Sequence, residues 1–147
     1  MRMALMMLAV AGCVERGPDT VMPEIAGAAI SIDDGEVNDL AIDLQLIGPD
    51  DGDSLVAVER VELFAEPIES SAEPLAIVLA DFEPGFDRFV RAGETRNARL
   101  SAAAELLSPP ELCEGDVSLI VCIWGVRPDA PVAAGCDWFE GVTPDCR

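Results

Sequence analysis

The sequence predicts a mainly β protein, an antiparallel β-sandwich with disulfide bonds near the C-terminus. Three observations support this fold class. Several segments alternate apolar and polar residues with a period of two, as half-buried strands do. Clusters of Gly, Pro and Asp separate these segments at short intervals, which is typical of sandwiches built from short strands. Four of the five cysteines stand at positions 113, 122, 136 and 146, near the end of the chain.

The first half of the chain contains three predicted strands, at residues 26–32, 40–47 and 56–65. The second strand is the clearest, because every other residue from Leu40 to Leu46 is Leu or Ile. A dense turn signal at residues 48–53 ends it. In the third strand the apolar residues change parity near Glu59 and Arg60, which predicts a β-bulge.

The second half contains three more predicted strands, at residues 75–80, 97–107 and 117–126. The last is apolar on both faces, which predicts a central strand that is covered on both sides. The segment 97–107 has the alternation of a strand but the composition of a helix. We favour a strand there, because the neighbouring segments are strands and Pro109 and Pro110 end the segment soon after.

The N-terminus has the pattern of an export signal. Residues 3–11 form an apolar run, MALMMLAVA, which is much shorter than the about 20 residues that span a bilayer. Such a run is typical of the hydrophobic region of a signal peptide. The last two residues of this run and the two after it, Val10-Ala11-Gly12-Cys13, resemble the lipobox of bacterial lipoproteins, in which small residues precede a cysteine. The predicted signal ends at Gly12 and is therefore shorter than the about 15–30 residues of usual signal peptides, which favours a start codon further upstream.

The lipobox resemblance implies that the Cys13 thiol receives a diacylglyceryl group and that the signal is cut just before this residue. Two or more acyl chains give stable anchoring, whereas one chain is marginal. The implied parts are a signal peptide at 1–12, a lipid-anchored tether at 13–23 and a single domain at 24–147. In lipoproteins of Gram-negative bacteria, Asp after the cysteine favours the inner membrane, so Val14 favours the outer membrane.

Two alternatives to the lipobox remain open. Residues 9–11, Ala-Val-Ala, also fit the A-x-A site of ordinary secretory cleavage, and the second alternative is a chance cysteine in a cytoplasmic N-terminus. Cysteine parity favours lipidation, because removing Cys13 leaves four cysteines, an even number. An unpaired cysteine is disfavoured in an oxidising compartment.

The spacing of the four remaining cysteines predicts nested disulfides, Cys122–Cys136 and Cys113–Cys146. If a hairpin turns around Asp129, the inner pair stands seven residues on either side of the turn, and the outer pair falls in nearly the same register. A Cys113–Cys122 bridge is disfavoured, because extended chain advances about 3.3 Å per residue and a disulfide tolerates only about 7 Å between Cα atoms. A zinc site is the alternative, although the chain has no C-x-x-C pair and no histidine.

The order of short strands between residues 25 and 138 resembles the immunoglobulin-like or fibronectin-type domains found in many exported bacterial lipoproteins. This resemblance rests on the pattern of strands and turns and includes no specific motif. It implies a sandwich of two antiparallel sheets.

Charge and composition exclude several classes of function. The chain has 28 acidic and nine basic residues, a formal net charge of −19 and no histidine. Such a chain repels both nucleic-acid phosphates and anionic lipid headgroups, so we expect no nucleic-acid binding and expect membrane attachment through the lipid. The absence of histidine excludes Ser-His-Asp and Cys-His machinery, and no Walker, G-x-G-x-x-G or G-x-S-x-G motif is present. We therefore expect neither catalysis nor a cofactor.

Two acidic clusters are candidate sites for calcium or a glycan. Calcium prefers oxygen ligands, which acidic loops between strands can supply. The candidate ligands are Asp33, Asp34, Asp50, Asp51 and Asp53. Neither cluster matches the EF-hand loop, and Asp and Gly are common turn residues, so solvated turns are the alternative.

A third candidate surface lies in the segment 82–99, which contains Phe86 and Arg88 among three phenylalanines and four arginines. If Phe86 and Arg88 are exposed, they form a patch that could dock another envelope protein. The alternatives are aromatic rings that cap the core and arginines that pair with neighbouring acids.

These observations predict a membrane-anchored lipoprotein that acts as a binding or structural module of the bacterial cell envelope. The alternative is a calcium- or glycan-binding lipoprotein that uses the acidic loops between strands. The expected partners are the membrane, through the lipid on Cys13, and another envelope protein.

Overall fold

The computed structural model describes residues 21–50, 52–66, 73–102, 106–107, 110–127 and 130–147. In these residues the strands are β1 (Met22–Asp33), β2 (Glu36–Ile47), β3 (Ser54–Ala65), β4 (Ala76–Val78), β5 (Ala80–Phe82), β6 (Phe89–Val90), β7 (Thr95–Ala102), β8 (Leu106–Leu107), β9 (Val117–Arg127), β10 (Ala130–Val142) and β11 (Asp145–Cys146). A 3₁₀ turn, Pro110–Cys113, precedes β9. The strands form two sheets, which confirms the predicted mainly β sandwich.

Sheet one has the strand order β11-β1-β2-β7-β5, and β8 also pairs with β2. All of its neighbours are antiparallel except the short β11, which runs parallel to β1. The β1–β2 hairpin turns at Asp34 and Gly35, both of which have positive φ angles. This turn geometry matches the twist of the paired strands, and Asp and Gly adopt it more readily than other residues.

Strand β2 lies in the middle of sheet one and supplies one side of the core. Its alternation is as predicted: the apolar residues from Leu40 to Leu46 are buried, whereas Asp43 and Gln45 are exposed. The strand begins at Glu36, four residues before the predicted strand at 40–47. Burial on one face only gives a clean period of two, which made this strand easy to predict.

Sheet two has the strand order β10-β9-β3-β4, and β6 also pairs with β3. The central position predicted for residues 117–126 is confirmed by β9. Its inner residues are fully buried, namely Val117, Leu119, Val121 and Ile123. Its outer face is only partly covered, since Ile120 and Trp124 are half-buried and Val126 is exposed. The register shift between Val58 and Arg60 of β3 is the predicted bulge.

The single strand predicted at residues 75–80 is wrong. Strand β4 pairs with β3 in sheet two, whereas β5 pairs with β7 in sheet one. The chain crosses between the sheets at Leu79, whose side chain is 61% exposed. A nearly all-apolar run of six residues carries no periodicity that could reveal such a crossing.

The ambiguous segment 97–107 folds as a strand where it is described. Strand β7 continues to Ala102 and pairs with β2 over seven residues. Residues 103–105 lie outside the described part of the chain, and Leu106 and Leu107 form the separate strand β8. Pairing with a neighbouring strand therefore overrides the helical composition of this segment.

The folded domain begins earlier than residue 24. Val21 is fully buried and β1 begins at Met22, so residues 21–23 belong to the domain and not to the predicted tether. Gly125 and Gly135 have no side chain, which leaves space for residues 21–23. A Cβ at Gly125 would lie 2.8 Å from Cγ2 of Val21, and one at Gly135 would overlap the carbonyl oxygen of Val21. The incoming chain thus packs directly against β9 and β10.

Candidate functional site

The sandwich has two ends that are built from different residues. The end at which the chain enters, the entry end, contains Val21, the loop 48–53, Leu55, the segment 89–94 and Val126. The opposite end, the far end, contains the turn at Asp34 and Gly35, Glu66, residues 114–116 and the C-terminal residues 143–147. Because β2 runs the length of the sandwich with 12 residues, the two ends lie roughly 35–40 Å apart.

Two disulfides cross-link the C-terminal part of the domain. Cys122 and Cys136 are bridged directly across β9 and β10, with their Cα atoms 4.1 Å apart. Cys113 and Cys146 join the 3₁₀ turn to β11, with a Cα separation of 6.1 Å. This is the nested pairing that the hairpin register predicts. It uses all four cysteines of the domain, and the fifth, Cys13, lies outside the described residues.

The metal alternative for the cysteines has one geometric candidate among the described residues. A carboxylate oxygen of Glu59 and the sulfur atoms of Cys122 and Cys136 lie within 4.8 Å of one another. Both sulfur atoms are joined in a disulfide, whereas zinc binds the deprotonated thiolate of each cysteine. This cluster is therefore a cross-strand disulfide beside an acidic side chain.

The two acidic clusters lie at opposite ends of β2, so the structure does not bring them together. Asp33 and Asp34 belong to the hairpin turn at the far end, where the backbone N–H of Asp34 donates to the carbonyl of Arg147. Asp50 and Asp53 flank the loop at the entry end, and Asp51 lies outside the described residues. The Asp53 carboxylate accepts a hydrogen bond from the Ala92 N–H and so holds two loops together. A calcium site shared by both loops is excluded by this separation.

Phe86 is half-buried and packs against the core, so it does not form an exposed patch. Its ring centroid lies 4.8 Å from that of Phe82, and the Arg96 guanidinium lies 4.5 Å from the centre of the Phe86 ring. Arg96 also pairs with the Asp87 carboxylate, which holds the pKa of that carboxyl below its usual value. The ring thus packs the segment between β5 and β7 against the core, which agrees with the alternative in which the aromatic rings cap the core.

Arg88 is also engaged within the domain. Its guanidinium lies 2.9 Å from the Asp81 carboxylate, and this hydrogen bond lowers the pKa of Asp81. Arg99 forms a similar pair with Asp43 across β7 and β2, at 2.7 Å. The internal pairing of these arginines corresponds to the alternative in which the basic residues neutralise neighbouring acids. The predicted partner surface of Phe86 and Arg88 is therefore not supported by the geometry.

An exposed apolar row lies instead on the outer face of sheet two at the entry end. Phe89 pairs with Leu55, and Leu55 pairs with Val126, so the three side chains stand side by side across β6, β3 and β9. We call this row the Leu55 patch. Leu55 is 56% exposed and Val126 is 39% exposed, and together with Asp53 the row lines a shallow depression of about 540 Å³. Sequence reasoning missed the patch, because alternation does not show which face of a strand stays uncovered.

The outer face of sheet two carries two more large apolar side chains away from the entry end. Trp138 is 37% exposed and packs on Phe64, with ring centroids 5.7 Å apart. Ile77 of β4 is 61% exposed and stands opposite Glu62. Trp138 and Trp124 lie on either side of the cross-strand disulfide, each two residues from one of its cysteines.

Two polar depressions complete the surface of the described residues. On sheet one, an open groove of about 500 Å³ is lined by the Asp43–Arg99 pair together with Gln45, Asn97 and Ala26. At the far end, a smaller depression of about 230 Å³ is lined mainly by acids, which are Glu66, Glu111, Glu114 and Asp116. Two of these are already engaged: the Glu66 carboxylate accepts hydrogen bonds from Ser118 and Gly141, and Asp116 accepts one from Thr143.

The described part of the chain includes no helix long and apolar enough to cross a membrane. No protein-family model and no curated protein matches the sequence. Among solved structures, the chain is similar to the class 5 fimbriae chaperone CfaA, with a TM-score of 0.42 and 11% sequence identity. The similarity covers 84% of this chain and 57% of the length of that chaperone.

Proposed function

We propose that the protein is a lipid-anchored, non-catalytic binding or structural module of the bacterial cell envelope. One observation supports this proposal above the others. The two disulfides use the four cysteines of the domain, which leaves Cys13 as the fifth cysteine, directly after an apolar run and three small residues. A cysteine in that position has the chemistry and the sequence context of a lipidation site.

Export is supported by the disulfides themselves. Disulfides persist in oxidising compartments and are rare in the cytosol. Both bridges in this domain close loops of the β9–β10 region, with sequence separations of 14 and 33 residues. A domain that depends on such bridges suits the bacterial envelope, where thiols are oxidised.

A binding or structural role is supported by the surface and by the composition. The acidic side chains of the loops serve turns and loop contacts, and the chain has no histidine. Exposed apolar side chains on sheet two are the type of surface that contacts another molecule. The acidic net charge cannot hold the protein to an anionic membrane, so an acyl anchor is needed to place this surface there.

Metabolic labelling with a clickable fatty acid tests the anchor. The wild-type chain should take up the label and fractionate with the membranes, whereas Cys13→Ser should lose both properties. The matched control is Thr20→Ser, which makes a small change near the anchor and keeps Cys13. Equal labelling of the wild-type and Cys13→Ser proteins would contradict lipidation at this residue.

In-cell crosslinking of the lipidated protein, followed by purification and mass spectrometry, tests the binding role. We expect one envelope protein to dominate the recovered material. Recovery of nothing above the level of the Cys13→Ser protein would remove binding to another protein from the proposal and leave only the anchored structural role.

A further inference from the structure

We propose that the entry end of the sandwich rests on the lipid bilayer, with the Leu55 patch in contact with the headgroup and acyl boundary. This inference depends on the proposed anchor at Cys13. It assigns an occupant, a lipid surface, to an apolar face that no other described part of the chain covers. Three features of the structure support it: the place where the chain enters, the charge of the two ends, and the orientation of the apolar row.

The tether reaches the domain at the same end of the sandwich as the patch, although Val21 packs on the inner face of sheet two and the patch lies on the outer face. Val21 contacts the position of Gly125, and Gly125 directly precedes Val126, the β9 member of the patch. Only eight residue steps separate Cys13 from Val21, which gives a maximum reach of roughly 28 Å at about 3.5 Å per residue. The sandwich is roughly 35–40 Å long. Because this reach is shorter than the sandwich, a lipid on Cys13 keeps the entry end near the bilayer and prevents the domain from standing upside down on its far end.

The charge of the described residues differs between the two ends. The entry end combines bases and acids, which are Arg88, Arg91 and Arg96 with Glu24, Asp50, Asp53, Asp87 and Glu94. The far end is strongly acidic and includes Asp33, Asp34, Glu36, Glu66, Glu111, Glu114, Asp116 and Asp145 with Arg147. Anionic membrane surfaces repel acidic residues over about one Debye length. The electrostatic orientation thus agrees with the one that the tether imposes.

The apolar row is suited to a lipid surface. Leu55, Phe89 and Val126 belong to three adjacent strands and lie on the outer face, because the inner neighbours Val56 and Gly125 face the core. Apolar side chains insert a few ångströms into the interface when a second signal, here the acyl chains, already holds the protein there. The patch would then add contact area without having to bind the membrane alone.

Quenching of tryptophan fluorescence by brominated lipids tests this orientation. The native tryptophans are first removed by Trp124→Phe and Trp138→Phe, and a single reporter is added as Leu55→Trp. The matched control is Ile77→Trp, because Ile77 is equally exposed on the outer face of sheet two but lies roughly 20 Å further from the entry end. Circular dichroism establishes that both variants in this shared background are folded.

Both variants are purified with their lipid from membranes and placed in phosphatidylcholine vesicles that contain brominated acyl chains near the interface. The Leu55→Trp reporter should lose roughly half of its emission, and the Ile77→Trp reporter should stay nearly unchanged, because only the first lies at the headgroup boundary. Equal quenching of the two reporters, or none in either while the protein remains on the vesicles, would overturn the inference. Capture of a protein through a crosslinker at position 55, without lipid quenching, would assign the patch to a protein partner instead.

The same samples separate this inference from the proposed function. If intact mass shows no lipid on Cys13, the anchor and the inference fail together. If the lipid is present and the Leu55→Trp emission is unquenched, only the inference fails.

Discussion

At the scale of single residues, glycine at position 135 determines how the incoming chain packs on the domain. A side chain there would meet the Val21 carbonyl oxygen, which is a backbone atom, as well as the Met22 sulfur and the Pro23 ring. Backbone cannot move aside as the end of a flexible side chain can, so the site requires the absence of a Cβ. Val21 and Met22 stand between the polar residues Asp19 and Thr20 and the residues Pro23 and Glu24. Two apolar residues are too few to show a strand period, which is why the predicted start of the domain was too late.

Gly135→Ala should destabilise the domain by about 1–3 kcal/mol, since the added methyl group forces the first strand away from β10. The comparison variant is Gly115→Ala, because a Cβ at Gly115 would meet no atom within 4 Å. Urea unfolding measures both free energies. If Gly135→Ala changes the free energy of unfolding as little as Gly115→Ala, within about 0.5 kcal/mol, the close packing of the entry segment is wrong.

The ion pair between Asp81 and Arg88 predicts a dependence of stability on pH. The hydrogen bond from Arg88 lowers the pKa of Asp81 below its ordinary value of 3.8, so the folded state holds the carboxylate more firmly than the unfolded state. Stability from this pair is therefore present above about pH 4 and is lost as the pH falls through the lowered pKa. Because both side chains are about half exposed, the contribution is at most about 1 kcal/mol.

Asp81→Asn should therefore be slightly less stable than the wild type at pH 7, and the difference should shrink at pH 3. Only the difference between the two proteins is informative, since protonation of the other acids also relieves the repulsion within this strongly negative chain. Thermal unfolding of both proteins at the two pH values measures this difference in stability. A difference that grows as the pH falls would have the wrong sign for this pair.

At the scale of elements, the cross-strand position of the Cys122–Cys136 disulfide explains why the disulfide pairing could be predicted. Strands β9 and β10 form one hairpin with Cys122 opposite Cys136, and a register symmetrical about the turn follows directly from residue spacing. No such symmetry marks the crossing from β4 to β5, where a single exposed residue, Leu79, joins strands of different sheets. Local spacing thus predicts hairpins, whereas sheet membership depends on contacts that are distant in the sequence.

Removal of either disulfide tests its contribution. The double change Cys122→Ala and Cys136→Ala should lower the free energy of unfolding by about 3 kcal/mol, and Cys113→Ala with Cys146→Ala by about 4 kcal/mol, because the second bridge closes a longer loop. Urea unfolding of oxidised proteins measures both. An equal or reversed order would show that native contacts, and not loop length, set the contribution of each bridge.

At the scale of the whole molecule, the fold class follows from the sequence more readily than the surface does. Alternation along β2 and the bulge in β3 require only that one face of each strand be buried. The Leu55 patch requires knowing that the outer face of sheet two stays uncovered at one end, and no local pattern carries this information. For the same reason the sequence left open whether Phe86 and Arg88 form a free surface patch, whereas Phe86 packs against a second ring and Arg88 pairs with an acid.

The acidic loops are a second feature whose role cannot be predicted from the local sequence alone. Their composition fits both calcium ligands and ordinary turns, and the length of β2 excludes only a site shared by the two clusters, because it places them at opposite ends.

The mass of the intact protein purified from cell membranes tests the proposed anchor most directly. A chain that begins at Cys13 and carries a diacylglyceryl group on that residue is the result that the proposal predicts. A chain that begins at Gly12 with an unmodified thiol would indicate ordinary secretory cleavage after Ala11, and a chain that retains residues 1–12 would indicate no processing. Either of these results would contradict a lipid-anchored protein.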